Sequence, residues 1–564
     1  MAPHLIYDLL APLVAYGFQP PALKMGNGIV LDKPGKPSYD LPSSFRVIVL
    51  LQTFSKILER IMNSRLSCVA RQAGLLNPDP CSSLAGLWAS DVTTTLTHEI
   101  RTLQLAGKKV STLFLDIKGG FDNVNPSTLC SMLKLRAVNP YFVSWTRSFL
   151  TGRAYRLWYQ GSPKVFAPVS VGTLQGFPVS PLLLVIYVSR IHCEIPRGLT
   201  LSYVDDFGLK VSSASYRRNM QSLQRHYAVL KGRGARLGAS FSIPKTELIH
   251  WRTIRDRGPV TRSSIYLDRW TFPPKDVVRW LGYWFTPSIS TTPHFTKRLA
   301  KAKAAFVAVK RLSPPRMGLP PFLCHQLAPS LLFPILSYGA DTFKPTVHMT
   351  RKLSAFWHKV QRWTTNCFSC TPTDILAVEA CLPPHDLLLA YKYRLACLRV
   401  MCSPTEINTA AARLPASLQM PSLYRHAPDH RALSRGNPGA RLPLPWRTPT
   451  RPPARNRTHL PHDALPHSML LALGPDGSAP LPVTFQHMLG ETYLTPPLGR
   501  AYPQLELLCR KLLMEEWQKA APDPARYAYR PSLSPYPFMG LSKFDPGRFH
   551  QMRSGKSYLH AHPS

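Results

Sequence analysis

The sequence predicts an α+β fold centred on a sheet that carries carboxylates, and three observations predict it. Short apolar runs of strand length, Val110–Asp116 and the pair Leu201–Val204 and Phe207–Val211, end in or enclose aspartates. Segments of helical periodicity with their own start signals lie between these runs. The chain has 564 residues, 45% of them hydrophobic. That length implies several domains or subdomains, because one core stops growing near ~250–300 residues.

Taken in order, Leu5 to Phe18 is apolar but carries Asp8 and no basic leader, so it reads as part of the fold rather than a signal peptide. Val110–Asp116 suits a buried strand closed by a carboxylate. Asn125-Pro126 is an N-cap followed by proline at the first helical position, with Leu129, Met132 and Leu133 as the apolar face. The signal repeats at Asn139-Pro140, where Phe142, Trp145 and Phe149 line one face and Gly152 stops the helix. Ala154–Tyr159 and Val165–Val169 flank Gln160-Gly-Ser-Pro163 as a hairpin. Pro181 opens a further helix, and a second hairpin places Asp205-Asp206 at its tip. Ser213 to about Gly232 is a basic amphipathic helix, and His294 to Leu312 is another basic helical stretch. Proline numbers 57, about twice the usual ~5%, and is densest after Ser403. A poorly ordered tail with helical pieces such as Gln504 to Glu516 is expected there.

Lys and Arg number 69 against 30 Asp and Glu, a formal charge of +39. Such an excess calls for a polyanionic partner, because neutralised phosphates release condensed counterions. The basic residues are spread along the chain rather than gathered beside an amphipathic helix, which favours nucleic acid over an anionic membrane. No apolar run approaches the ~18 residues needed to span a bilayer. The 11 cysteines form no disulfide framework, so a reducing compartment is expected. Cys367 and Cys370 form a lone CxxC, read as two small residues packed in a helical region rather than a metal site.

In a chain short of acid, Asp116, Asp205 and Asp206 all stand against apolar strands. An isolated Asp at a turn usually signifies only turn chemistry. Three brought together by neighbouring strands would repel one another unless a cation joins them. Hard oxygen donors suit Mg²⁺, and two such ions clamp the attacking and leaving oxygens of a phosphoryl transfer.

Tyr203-Val-Asp205-Asp206 resembles the YxDD box of reverse transcriptases, and Leu115-Asp116-Ile-Lys-Gly-Gly-Phe121-Asp122 resembles the first aspartate motif of the same palm. Val171-Gly-Thr-Leu-Gln175-Gly176-Phe-Pro-Val-Ser180-Pro181 resembles the Gln-Gly…Ser-Pro motif between them. Leu31-Asp-Lys33-Pro-Gly-Lys36-Pro, Ser44-Phe-Arg46, Lys56-Ile-Leu-Glu59 and Arg65-Leu66 resemble the fingers of LINE-type enzymes. Ile243-Pro-Lys245-Thr-Glu-Leu resembles the lysine-bearing motif, Trp280-Leu-Gly282-Tyr-Trp the primer-grip turn, and Ser337-Tyr-Gly-Ala-Asp the segment after the thumb helices. The likeness covers roughly residues 5 to 400 and is that of a non-LTR retrotransposon polyprotein.

The resemblance implies a right-hand polymerase: fingers over 1–109, palm over 110–287 (the reverse transcriptase domain overall about 14–287), a helical thumb and connection over 288–403, and a Pro-rich tail over 404–564. It implies Mg²⁺ or Mn²⁺ held by Asp116, Asp205 and Asp206, Asp116 and Asp205 most directly, with the Ile117 carbonyl completing a shell. Phe121 becomes a wall against the nucleotide 2′-OH, with a core phenylalanine as the equal alternative. Gln175 would touch the incoming nucleotide, and Gly176 would let the backbone approach it closely. Lys33, Lys36 and Arg46 would meet the triphosphate, against the plain alternative of solvated basic surface. Lys245 would protonate the leaving pyrophosphate. Lys297, Arg298, Lys301, Lys303, Lys310 and Arg311 would contact phosphates.

The expected activity is RNA-directed DNA synthesis, as in target-primed retrotransposition. The expected partners are an RNA template, a DNA primer or target and dNTPs, inside the cell and nuclear at the time of action. The alternative is an inactive relic that only binds nucleic acid. Gly120, Leu174 and Val47 replace the family's usual Ala, Pro and Pro, and residues 77–83 lack its Gln-Gly signal. The absence of endonuclease, ribonuclease H and zinc-knuckle signals suggests an incomplete copy.

Overall fold

The computed structural model describes residues 3–33, 35–76, 88–159, 162–196, 198–252, 263–311, 318–340, 342, 345–392, 513–515 and 517–521. These fall into two compact units, one ending at Leu281 and the other beginning at Gly282. The Pro-rich tail lies outside the described residues, save for helical turns at 513–515 and 517–520 within and just beyond the helix expected there.

The first unit opens with helix α1 (Pro3–Ala15), so the apolar start of the chain does belong to the fold, with Leu10 and Val14 in the core. Strands β1 (Met25–Asp32) and β2 (Phe45–Leu51) and helices α2 (Thr53–Gln72) and α3 (Ala89–Leu105) follow. Next come β3 (Lys109–Lys118), α4 (Pro126–Leu135), α5 (Pro140–Leu150), β4 (Arg153–Tyr159), β5 (Ser162–Val169) and α6 (Ser180–His192). The hairpin β6 (Thr200–Tyr203) and β7 (Asp206–Ser213) leads into α7 (Tyr216–Arg236), β8 (Ser240–Phe241) and β9 (Glu247–Trp251).

Local chemistry accounts for the helix starts. Asn125 accepts from the Thr128 N–H, Asn139 from Tyr141 and Ser215 from Arg218, each satisfying a first-turn amide that has no partner within its helix. The α7 helix starts three residues later and ends a turn later than the sequence pattern suggests, at Arg236, just before Gly238 takes φ 68°.

Two sheets organise the unit. One runs β2-β1-β4-β5, with β1 antiparallel to β2 and parallel to β4. The other runs β6-β7-β3, with β8 and β9 both paired to β3. Strand β3 is buried from Val110 to Leu115, the continuous run expected of a central strand. Its two polar interior residues are satisfied: Trp251 donates to Thr112 at 2.8 Å, and Asn219 donates to Ser111 at 3.0 Å. Helices α3 and α7 pack on this sheet, and buried Lys210 of β7 pairs with Glu99 of α3.

The strand ends differ from expectation. Strand β3 continues past Asp116 to Lys118, and the second hairpin turns at Val204-Asp205, so Asp206 is a strand residue. The reason is pairing: Asp206 faces Tyr203 across the hairpin and Asp116 across β3.

In the second unit, α8 (Thr292–Arg311) is followed by α9 (Pro321–Leu327), α10 (Phe333–Ser337) and α11 (Val347–Thr365); α8 packs with α10 and α11, and Leu336, Trp357 and Val360 are fully buried. Trp357 satisfies its indole by donating to the Pro383 carbonyl at 2.9 Å. Cys367 and Cys370 do not lie in a helix. Helix α11 ends at Asn366, whose left-handed φ of 58° caps it, and the cysteines follow in a loop with Cys370 exposed.

Candidate active site

Backbone pairing brings the three aspartates together. Asp116 and Asp206 are register partners across β3 and β7. The Ile117 N–H donates to the Asp205 carbonyl at 3.1 Å, tying the hairpin turn to the next residue of β3. Ile117 itself is buried opposite Phe241 of β8. The turn residue Val204 adopts φ 60°, a conformation a β-branched residue rarely takes and one that costs about 1–3 kcal/mol. Gly120 fits this crowding, since a Cβ there would stand 3.3 Å from the Asp205 Cβ.

The carboxylates disturb one another. Burial, then the charges of Asp205 and Asp116, push the Asp206 carboxyl up to about 7, with Lys245 opposing. Asp205 is raised first by burial and further by Asp116, while Lys245 and Arg46 pull it down. Lys245 places its Nζ 2.8 Å from Asp116 Oδ2; the lysine is largely solvated and the aspartate is not. The Asp116 carbonyl also accepts from the Ser242 N–H at 2.8 Å, which holds the lysine-bearing segment against β3.

Hard oxygen donors in mutual repulsion fit a divalent cation. Yet among the described residues no three His, Cys, Asp or Glu side chains are drawn closely enough together to hold a metal. Asp116 instead engages the Lys245 ammonium, and a shared cation would have to replace that contact.

Facing the carboxylates are cations from the β1–β2 edge. Lys33 follows β1, and its N–H donates to the Ser44 carbonyl at 2.8 Å; Arg46 of β2 is exposed opposite Leu31. Burial lowers the Lys33 ammonium, and the charges of Arg46, Lys36 and Lys245 lower it further against the opposing Asp122. Lys33, Lys36, Arg46 and Lys245 therefore share one field, and that field reaches Asp205 through Arg46.

Phe121 is half-buried against the core, a position open to either of its two readings. The Gln175 carbonyl accepts from the Val49 N–H at 2.8 Å. Gly176 has φ 108°, and a Cβ on it would meet the Val49 carbonyl at 2.4 Å. The close approach that requires glycine there is thus to the neighbouring strand β2. In the second unit, Lys297, Lys301, Lys303, Lys310 and Arg311 are exposed on α8. Arg298 is engaged within its own unit: its guanidinium lies 3.8 Å from the Tyr338 ring centroid and donates to the Gly282 carbonyl at 3.0 Å.

Two charged residues near this site have no role in the sequence reading, buried Glu59 and Arg153. The signal for Glu59 was present: it falls on the apolar face of α2 with Ser55, Leu58 and Met62, all fully buried. Arg153 carries no comparable mark.

An antiparallel sheet with paired aspartates at a hairpin, faced by cations, is the arrangement expected of a polymerase palm. Residues 31–285 match the family model described as "Reverse transcriptase (RNA-dependent DNA polymerase)". The chain is 25% identical over 284 residues to the "Probable RNA-directed DNA polymerase from transposon BS" of Drosophila melanogaster, covering 49% of this chain and 31% of that protein. It is 22% identical over 372 residues to the corresponding protein "from transposon X-element" of the same organism, covering 64% and 40%. A third fly relative, "Putative 115 kDa protein in type-1 retrotransposable element R1DM", is 24% identical and covered to 38%. These relatives support a LINE-type reverse transcriptase, and the chain spans between about a third and two fifths of their lengths. A solved apo telomerase from Candida tropicalis aligns over 64% of this chain and 67% of its own at 13% identity, with a TM-score of 0.34. The fold class rests on the strand order and the family match. No helix among the described residues is long and apolar enough to cross a membrane.

Proposed function

We propose that the chain is an RNA-directed DNA polymerase that adds dNTPs to a primer 3′-OH, as in target-primed retrotransposition. The observation that carries this reading is the register pairing of Asp116 with Asp206, with Asp205 at the adjoining turn and Lys33, Arg46 and Lys245 in the same field. Asp116, Asp205 and Asp206 would hold Mg²⁺ or Mn²⁺, which supplies positive charge to the oxygens of an in-line phosphoryl transfer. Lys33, Lys36 and Arg46 would bind the triphosphate from the opposite side. Gln175 and Phe121 would position the base and sugar. Lys245, released from Asp116, would deliver its proton to the departing pyrophosphate. The basic face of α8 would bind the phosphate backbone of template and primer without reading sequence. Acting on a chromosomal DNA target would place the enzyme in the nucleus.

The Lys245–Asp116 contact, which ties a candidate metal ligand to an ammonium, favours a second reading, an inactive relic that only binds nucleic acid. Primer extension on an RNA template with Mg²⁺, comparing the unaltered chain with Asp205→Asn, separates the two. Extension lost in the variant supports the polymerase; RNA binding with no extension by either supports the relic. Replacing the RNA template with DNA tests the template preference.

A further inference from the structure

A carboxylate and a guanidinium are buried behind the loop that carries Gln175 and Gly176. Glu59 of α2 is fully buried, and Arg153, the first residue of β4, is 2% exposed. Burying an ion is costly unless its charge is partnered, so two such groups beside one loop call for a reason. The Arg153 fork answers two carbonyls, with Nε donating to Leu150 at 3.1 Å and Nη2 donating to Gly172. Glu59 accepts from the Ser55 hydroxyl at 3.1 Å, and the Val179 backbone N–H stabilises its charged form, while its Oε2 has no hydrogen-bond partner. Gly172 and Val179 bracket the loop, so each charged group holds one end.

The two groups also sense each other. Burial pushes the Glu59 carboxyl up to about 8, against the Arg153 charge, and brings Arg153 down to about 10, against Glu59. Within the bracket, the Thr173 N–H donates to the Phe121 carbonyl at 2.7 Å, and the Gln175 carbonyl accepts from Val49 at 2.8 Å. Whatever fixes the loop ends therefore fixes Phe121 and Gln175 together.

We propose that Glu59 and Arg153 are a pair of positioning residues that hold the two ends of the 172–179 loop and so set Phe121 against Gln175 in the nucleotide-binding part of the site. The assignment of that part to nucleotide rests on the polymerase reading above. Arg153→Lys keeps the charge but cannot reach both carbonyls. Glu59→Leu removes the acceptor with similar volume, an exchange of a buried carboxyl for an apolar group that is often near neutral for folding. Glu59→Gln keeps an acceptor oxygen for Val179 and serves as the rescue.

The test is single-nucleotide incorporation by the full chain on an RNA template, reading KM for dNTP and the preference for dNTP over rNTP. Both quantities are independent of the active fraction, so partial misfolding lowers the apparent kcat and leaves them unchanged. Arg153→Lys and Glu59→Leu are expected to raise KM about tenfold and lower the preference, with Glu59→Gln close to the unaltered chain. Hydrogen exchange of the amides in 172–179 is measured alongside and should quicken in Glu59→Leu but not in Glu59→Gln. Unchanged KM and preference in active variants overturn the positioning role. If the unaltered chain extends nothing, the polymerase reading falls on that count. The exchange then decides separately: quickening confined to 172–179 supports the clamp, and none overturns it.

Discussion

In the sheet built on β3, the functional side chains stand on strands whose neighbouring residues are buried and paired on both edges. In the sheet built on β1 and β2, Lys36 and Arg46 are exposed and Lys33 is half-buried. The carboxylates are therefore placed by backbone that the core over-determines, down to a strained Val204. The cations are placed by long side chains on a strand edge, and they act through a shared field. On the first sheet both position and charge should matter, whereas on the second the charge alone should suffice.

The sharpest way to break this contrast is at the carboxylates. Asp205→Asn keeps the shape and removes the charge, and primer extension should fall by about a thousandfold or more. Arg46→Lys, which preserves charge, should lose far less in the same assay. Where the two sheets meet, Gly176→Ala drives a Cβ into the Val49 carbonyl at a positive φ. Chemical denaturation should show a loss of about 2–4 kcal/mol.

Phe121→Val asks which of the residue's two readings applies. A wall against the 2′-OH predicts that rNTP use rises about tenfold relative to dNTP, whereas a core residue predicts lower stability with the preference intact.

Glu59 tests burial against pH. Its folded value of about 8 lies above the ordinary 4.5, so folding favours the protonated form. The stability contribution is complete below about 4.5 and is lost as pH rises through 8. Glu59→Gln cannot ionise, and its stability relative to the unaltered chain should improve across that window in denaturant titrations.

The smallest effect belongs to the second unit. Lys297→Ala should reduce the salt slope of RNA binding by about one. Arg298→Ala should instead lower Tm, because that guanidinium packs on Tyr338.

Much of the fold was legible because its signals are local. Asn125 and Asn139 announce helices through side chains that bond their own first-turn amides, and the apolar run of β3 needs no partner to be recognised. The carboxylate site was legible for the same reason, since Asp116, Asp205 and Asp206 each adjoin an apolar strand. Strand ends were less so: Asp206 joins its strand because Tyr203 and Asp116 pair with it, which adjacent residues cannot announce. The break of Cys367 and Cys370 out of α11 depends likewise on the left-handed Asn366.

The sequence by itself determined which residues are candidates for chemistry here: three carboxylates on apolar strands, a set of scattered cations, and an excess of positive charge suited to a polyanion. Only the tertiary structure decided that Lys245 reaches Asp116, that Gly176 is required by Val49, and that Glu59 and Arg153 grip opposite ends of one loop. Each of these joins residues far apart in the chain. Composition and periodicity report what a segment prefers, whereas burial against a distant segment sets what a buried charge must touch.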